Sequence, residues 1–102
     1  MKKNSKLSWY KFHQNNSGGR WYRDGRVSVD VYIQAHSAKE ANGIAEDLGI
    51  YFDGVKDGYD CDCCGDRWYP VYGDGDAEPL KYGEPVDVNS PDVRIHPYDN
   101  SR

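Results

Sequence analysis

The alternation of residue types from Arg26 to Ala35 constrains the fold more than any other feature of this chain. Four β-branched residues, Val27, Val29, Val31 and Ile33, take every second position, and Ser28, Asp30, Tyr32 and Gln34 stand between them. A period of two residues is typical of a strand with one buried face. The segment is therefore predicted to be a strand whose apolar face needs a covering layer.

A helix directly after this strand is predicted to provide that layer. Ser37 is a preferred N-cap residue, Glu40 follows it at capping-box spacing, and Gly49 suits the C-terminal end. The apolar residues between the caps follow helical spacing, and they are Ala38, Ala41, Ile44, Ala45 and Leu48. We expect one main helix at residues 38–48, whose small alanine side chains allow close packing on a sheet.

The remaining elements have weaker signals. Asp24-Gly25 can form a type I′ turn, which would make residues 21–23 the partner arm of the predicted strand. Further short strands are predicted at residues 7–13, 50–52, 68–72, 86–88 and 93–96, and residues 50–80 are predicted to be a long structured loop. The expected fold is α+β: a single domain over residues 1–102, with a small antiparallel sheet covered by one main helix.

Composition limits the size of the core. Leu, Ile, Val and Phe together make only 17 residues, whereas Trp and Tyr add twelve large rings and the net charge is only -4. We therefore expect an aromatic-rich core and a homo-oligomer, because a thin core is often completed by association. No apolar run approaches the ~20 residues that span a bilayer, and polar residues follow Met1-Lys2-Lys3, so a cytoplasmic protein without membrane contact is predicted.

One short motif occurs twice. Residues 18–22 and residues 65–69 both read Gly-x-Arg-Trp-Tyr. Indole and phenol faces can stack on a base while a guanidinium pairs with phosphate, so the motif suits a small, flat, anionic ligand. The predicted ligand-binding residues are Arg20, Trp21, Tyr22, Arg26, Arg67, Trp68 and Tyr69. Ordinary packing is the alternative, in which arginine stems cover aromatic rings and an Arg-Tyr pair faces outward.

The three cysteines lie within four positions. Cys61 and Cys64 have the spacing of a zinc knuckle, and the glycine after them permits a tight turn. This is half of a tetrahedral site, so the other ligands would come from Cys63, a histidine or a second copy of the chain. The sequence predicts no cofactor here: the leading interpretation is reduced thiols in a tight turn, and zinc is the alternative.

The sequence does not predict an enzyme. His13, His36 and His96 have no paired Ser or Cys signature, and no glycine-rich phosphate loop precedes a helix. The pI of about 5.2 and the net charge of -4 also disfavour duplex nucleic acid as a partner, because the phosphate backbone repels such a chain.

Three segments, residues 35–41, 44–55 and 61–69, resemble a class of small, uncharacterised tailed-bacteriophage proteins, and the resemblance covers about residues 26–72. It implies an accessory protein in the cytoplasm of a bacterial host, of the kind that antagonises host defence. The leading hypothesis is a non-catalytic protein that binds or sequesters a nucleotide-like anion. The alternatives are an acidic, zinc-stapled inhibitor of a host protein and a small nucleotide-processing enzyme.

Overall fold

A computed structural model describes residues 6–16, 19–81 and 83–99 of the chain. Its elements in chain order are β1 (Ser8–His13), β2 (Asp30–Ala35), α1 (Ala38–Asp47), β3 (Leu80–Lys81), β4 (Glu84–Pro85) and β5 (Val93–His96). In this described part of the chain, no helix is long and apolar enough to cross a membrane.

The main sheet has three strands in the order β1-β2-β5. β1 runs antiparallel to β2, with Ser8 opposite Ala35 and His13 opposite Asp30. β5 runs parallel to β2, with Val93 opposite Asp30. The α+β class is confirmed, but the sheet is mixed and not purely antiparallel. The reason is topological, since β5 returns through the long connection after α1 instead of through a hairpin.

The helix is bounded as its capping residues predict. The hydroxyl of Ser37 accepts a hydrogen bond from the Glu40 backbone N–H at 3.1 Å. The Glu40 carboxylate accepts from the His36 N–H instead of closing the capping box on Ser37. Gly49 has φ 103°, and the Ile50 N–H reaches the Ala45 carbonyl at 3.0 Å, which completes a Schellman motif. The helix ends at Asp47, with Leu48 as its C-cap.

The core lies between α1 and one face of the sheet. Alternate residues of β2 enter it together with Ala41, Ile44 and Ala45 of the helix, and Trp68 of the long loop completes it. The opposite face of the sheet is covered as well. Tyr32 is buried there, and its hydroxyl donates to the Leu80 carbonyl of β3 at 3.2 Å. Both faces of β2 are therefore covered, which explains why this strand is almost continuously buried.

The predicted hairpin at Asp24-Gly25 is absent. The Asp24 carboxylate accepts hydrogen bonds from the N–H groups of Arg26 and Val27, at 2.7 and 2.8 Å. The Asp24 N–H also donates to the Val27 carbonyl at 2.9 Å, so side chain and backbone together close a turn that differs from type I′, and residues 21–23 form no strand. β2 begins only at Asp30, and β1 and β5 occupy its two edges.

Residues 50–79, all of which the structure describes, form no helix and no strand. The strands predicted at residues 50–52 and 68–72 are therefore wrong. Residues 86–88 form no strand either, whereas the strand predicted at residues 93–96 is confirmed as β5. Side chains hold this loop to the rest of the domain. Asn42 of α1, for example, bonds both the N–H and the carbonyl of Val71.

Candidate functional site

A buried glutamine brings the two copies of the Gly-x-Arg-Trp-Tyr motif together. Gln14 follows β1 and is fully buried. Its amide N–H groups donate to the carbonyls of Tyr22 and Ser28, and its oxygen accepts from the Tyr22 N–H at 2.6 Å and from Arg67 Nη1 at 2.7 Å. All four hydrogen-bonding positions of the amide group are thus used, three of them on the two motif copies and one on Ser28.

Further contacts reinforce this junction. Arg67 Nη1 also donates to the Arg20 carbonyl at 2.7 Å, which links the two motifs directly. Next to Gln14, the Asn15 N–H donates to the Arg67 carbonyl at 2.8 Å. The two copies therefore converge, although 47 positions separate Arg20 from Arg67. The glycine that begins the first copy, Gly18, lies outside the described residues.

A cleft of about 330 Å³ lies at this junction. Tyr22, Asp24 and Arg26 line it from the first copy and the turn after it, and Arg67 and Trp68 line it from the second. Leu48, Gly49 and Tyr51, which follow α1, complete the lining. Four of the seven predicted ligand-binding residues therefore share one cavity.

Charges of both signs line the cleft. The guanidinium groups of Arg26 and Arg67 and the carboxylate of Asp24 belong to its lining, and Arg67 also lies 3.8 Å from the buried carboxylate of Asp60. A hydrogen bond from the Tyr22 hydroxyl, at 2.7 Å, and bonds from backbone N–H groups lower the pKa of Asp24. The same bond to Asp24 raises the pKa of Tyr22, so this phenol stays neutral at physiological pH and its ring is held in place.

The second copy is anchored internally. Trp68 is only 2% exposed and belongs to the core, so it has no face available for the stacking role predicted from the sequence. The Arg67 side chain is 15% exposed, and its Nε lies 3.8 Å from the buried carboxylate of Asp60. Internal contacts therefore take up most of the Arg67 guanidinium, and only its accessible edge is left for the predicted phosphate.

Three predicted residues lie outside the cleft lining. Arg20 and Trp21 are exposed, and the ring of Trp21 makes an edge contact with His13 at a centroid distance of 6.3 Å. Tyr69 is 54% exposed. Convergence of the motifs thus brings only part of the predicted set to one place.

The three thiols form a separate cluster. The Sγ atoms of Cys61 and Cys63 are 3.0 Å apart, those of Cys63 and Cys64 are 4.0 Å apart, and all three lie within 4.8 Å of one another. Hydrogen bonds from the Cys63 and Cys64 thiols lower the pKa of Cys61 to about 7. Contact with the other two sulfurs raises the pKa of Cys63 to about 11. Among the described residues, no histidine joins this cluster, for which the sequence left zinc as an alternative.

Sequence reasoning missed Gln14 and a buried charge. Asp30 is 1% exposed and contacts His13 Nδ1 at 2.5 Å and Lys81 Nζ at 2.8 Å. Burial alone would raise the pKa of Asp30, but the contacts with His13 and Lys81 outweigh it and hold the pKa below its ordinary value. No sequence signal marked this burial, because Asp30 alternates with the valines and so falls on the face of the strand that was predicted to be exposed.

Together, the fold and the cleft define a small α+β domain with an internally anchored loop beside a cleft lined by two arginines. A family model described as a domain of unknown function, DUF7296, matches residues 7–99, and the chain belongs to this family. No curated protein and no solved structure matches the chain significantly. The family match does not bear on the phage resemblance, the cytoplasmic location or the oligomeric state, which stay predictions.

Proposed function

We propose that this domain binds a small nucleotide-like anion, without catalysis, in the cleft between the two motif copies. The observation that carries the proposal is the convergence of Tyr22, Arg26 and Arg67 on one cavity, in which the buried Trp68 forms part of the wall. Its volume of about 330 Å³ lies at the lower end of the roughly 300–1,000 Å³ typical of ligand pockets. A ligand of mononucleotide size or smaller suits it.

Tyr22 supports the stacking half of this proposal. Its ring is 51% exposed and lines the cleft, while its hydroxyl is fixed by Asp24 and its backbone by Gln14. An aromatic face held in one orientation loses little conformational entropy when a base stacks on it. We therefore assign base stacking to Tyr22, a role that the sequence also predicted for Trp68.

Arg26 supports the anion-binding half. It is exposed at the cleft, and its guanidinium can pair with phosphate in a bidentate geometry. Arg67 adds positive charge from a position fixed by Gln14. Asp24 carries a negative charge that opposes an anion, and its three hydrogen bonds hold that carboxylate on internal donors. The phosphate is therefore assigned to the Arg26 end.

The lining also supports binding without chemistry. Among the described residues that line the cleft, none is a histidine or a cysteine, and the single carboxylate is engaged by internal donors. Histidine, which most often acts as a general base, and cysteine, the most nucleophilic side chain near neutral pH, are thus missing from this lining.

A thermal-shift screen of nucleoside mono-, di- and cyclic phosphates is the first test. A ligand at 100 times its dissociation constant adds about 2.7 kcal/mol to the free energy of unfolding, which is a readily measured shift. If no nucleotide shifts the melting temperature, the proposal is wrong.

Calorimetry with matched variants then locates the site. Stacking of one base is worth about 1–3 kcal/mol, so Tyr22→Ala should weaken binding roughly 5- to 150-fold. Tyr69→Ala is the control, because Tyr69 has nearly the same exposure but does not line the cleft. Likewise Arg26→Gln should weaken binding and Arg20→Gln should not. Equal losses in the two members of a pair would contradict this placement.

A protein-binding surface is the second candidate. The loop after α1 leaves Tyr59, Tyr69 and Tyr72 strongly exposed, and tyrosine is enriched in protein interfaces. This candidate predicts a partner whose binding is weakened by Tyr72→Ala but not by Tyr22→Ala. Asp60 is unsuitable for such a test because it is buried beneath Arg67.

A further inference from the structure

The thiol turn, residues 61–65, lies apart from the proposed ligand cleft, so the function proposed for the cleft does not account for it. None of its three cysteines lines the cleft, and none is in a disulfide. Cys63 and Cys64 are exposed and Cys61 is half-buried, so the three sulfurs meet close to the surface. Exposed thiols clustered in this way are chemically reactive, which makes them a candidate site.

Contacts that do not involve sulfur hold this turn in shape. The Cys61 carbonyl accepts from the N–H groups of Cys64 and Gly65, at 3.2 and 3.1 Å, and Gly65 has φ 87°. The Asn15 amide donates to the carbonyls of Cys64 and Asp66, at 2.8 and 3.1 Å. The fold itself therefore brings the three sulfurs together, so a ligand for them would find a preorganised site.

We propose that Cys61, Cys63 and Cys64 form a three-thiolate site for one soft metal ion, with Zn²⁺ as the representative. Zinc–thiolate bonds of about 2.3 Å in a tetrahedral arrangement place neighbouring sulfurs roughly 3.8 Å apart. The three sulfurs, at 3.0 and 4.0 Å and all within 4.8 Å, need only small adjustments to reach that spacing. Hard cations such as Ca²⁺ and Mg²⁺ prefer oxygen ligands and do not suit this site.

The site has one open coordination position. In the described part of the chain, no further Cys, His, Asp or Glu joins the three sulfurs. A fourth ligand would therefore be a water molecule or an external donor, as in zinc sites that keep an exchangeable position. This arrangement differs from the knuckle suggested by the Cys61/Cys64 spacing, because Cys63 becomes a full ligand and a second copy of the chain is not needed.

Zinc titration of the reduced, metal-free protein tests the proposal. Native mass spectrometry should show one zinc per chain, and zinc should protect all three thiols from alkylation by iodoacetamide. This second readout needs no variant, so it holds even if a substitution disturbs folding. Two chains per zinc, or protection of only two thiols, would overturn the three-thiolate site.

Variants then assign the ligands. Cys63→Ser should weaken zinc binding by more than the roughly 10- to 100-fold that loss of an outer-shell partner costs. Asp62→Asn is the matched control, because it lies in the same turn, is exposed and removes a negative charge without removing a sulfur. Zinc binding by Cys63→Ser at wild-type affinity, or an equal loss in Asp62→Asn, would disprove the assignment. Neither outcome depends on whether the cleft binds a nucleotide.

Discussion

The two copies of Gly-x-Arg-Trp-Tyr share four residue types but have opposite structural roles. In the second copy, Trp68 is in the core and the Arg67 guanidinium is bonded to Gln14. In the first copy, Trp21 is 38% exposed and only the backbone of Tyr22 is held by Gln14. One copy therefore anchors a loop, and the other presents its side chains to solvent above it.

The difference shows that a repeated motif need not mean a repeated function. Arg67 accounts for much of the contrast, since its guanidinium binds the Arg20 carbonyl and so fixes the backbone of the first copy. The anchored second copy supports the exposed first copy, because an exposed ring binds a ligand well only when the backbone beneath it is rigid. Four experiments test this division of roles, in order of decreasing expected effect.

Removal of the two tryptophans should have very different costs. Trp68→Ala is expected to lower the free energy of unfolding by about 3–5 kcal/mol, because it leaves a cavity in the core. Trp21→Ala should change it by less than about 0.5 kcal/mol, as is usual at the surface. Urea unfolding followed by circular dichroism measures both values. Similar losses would mean that the two copies are built alike.

Arg67 should likewise contribute more to the free energy of unfolding than Arg20 does. Arg67→Leu removes charge-assisted hydrogen bonds and leaves buried Asp60 without its cation, which should cost about 1.5–3 kcal/mol. Arg20→Leu keeps the backbone carbonyl that Arg67 binds, so it should be nearly neutral. The same unfolding experiment applies. If Arg67→Leu left the free energy of unfolding unchanged, the second copy would not have the anchoring role.

The contact between His13 and Asp30, which lies next to Trp21 of the first copy, should make a pH-dependent contribution to the free energy of unfolding. His13 contacts both the Trp21 ring and buried Asp30. The pKa of Asp30 is lowered in the folded state, so its stabilising contribution is complete above the unfolded value near 3.8 and is lost as the pH falls through the folded pKa. Unfolding free energies between pH 6 and pH 3 should therefore fall more steeply for the wild type than for Asp30→Asn. Parallel curves would contradict this account.

Fluorescence quenching should distinguish Trp21 from Trp68, and the substitutions that it needs should disturb the fold least. Iodide reaches exposed indoles only, so Trp21→Phe should reduce the quenchable fraction of the emission. Trp68→Phe should instead reduce the protected fraction, because Trp68 is only 2% exposed. If Trp68→Phe lowered the quenchable fraction, the second copy would open to solvent in solution.

Local sequence signals predict part of this fold well. The bounds of α1 follow from Ser37 and Gly49, and the centre of β2 follows from its alternating residues, because caps and periodicity act within a few positions. The direction of β5 and the path of residues 50–79 could not be predicted in this way. They depend on contacts such as that of Asn42 with Val71, which connect residues 29 positions apart.

The candidate site was predictable only in its residue types. The motif repeat suggested an arginine–aromatic ligand site, but the convergence of its copies depends on Gln14, a polar residue in a segment that reads as an ordinary loop. The roles of Trp21 and Trp68 also could not be told apart, because their neighbours in sequence are the same. Their exposure is decided by tertiary packing, which a five-residue motif does not encode.

The buried amide of Gln14 also has a consequence for the order of folding. Its bond to Arg67 spans 53 positions, whereas the bonds that form α1 are local. Contacts between distant residues carry a larger loop-closure entropy, and they form late unless other structure has already shortened the path. We therefore expect the helix and the β1–β2 pair to form first and the cleft to close last. A ligand of the cleft would then recognise only chains that have completed folding.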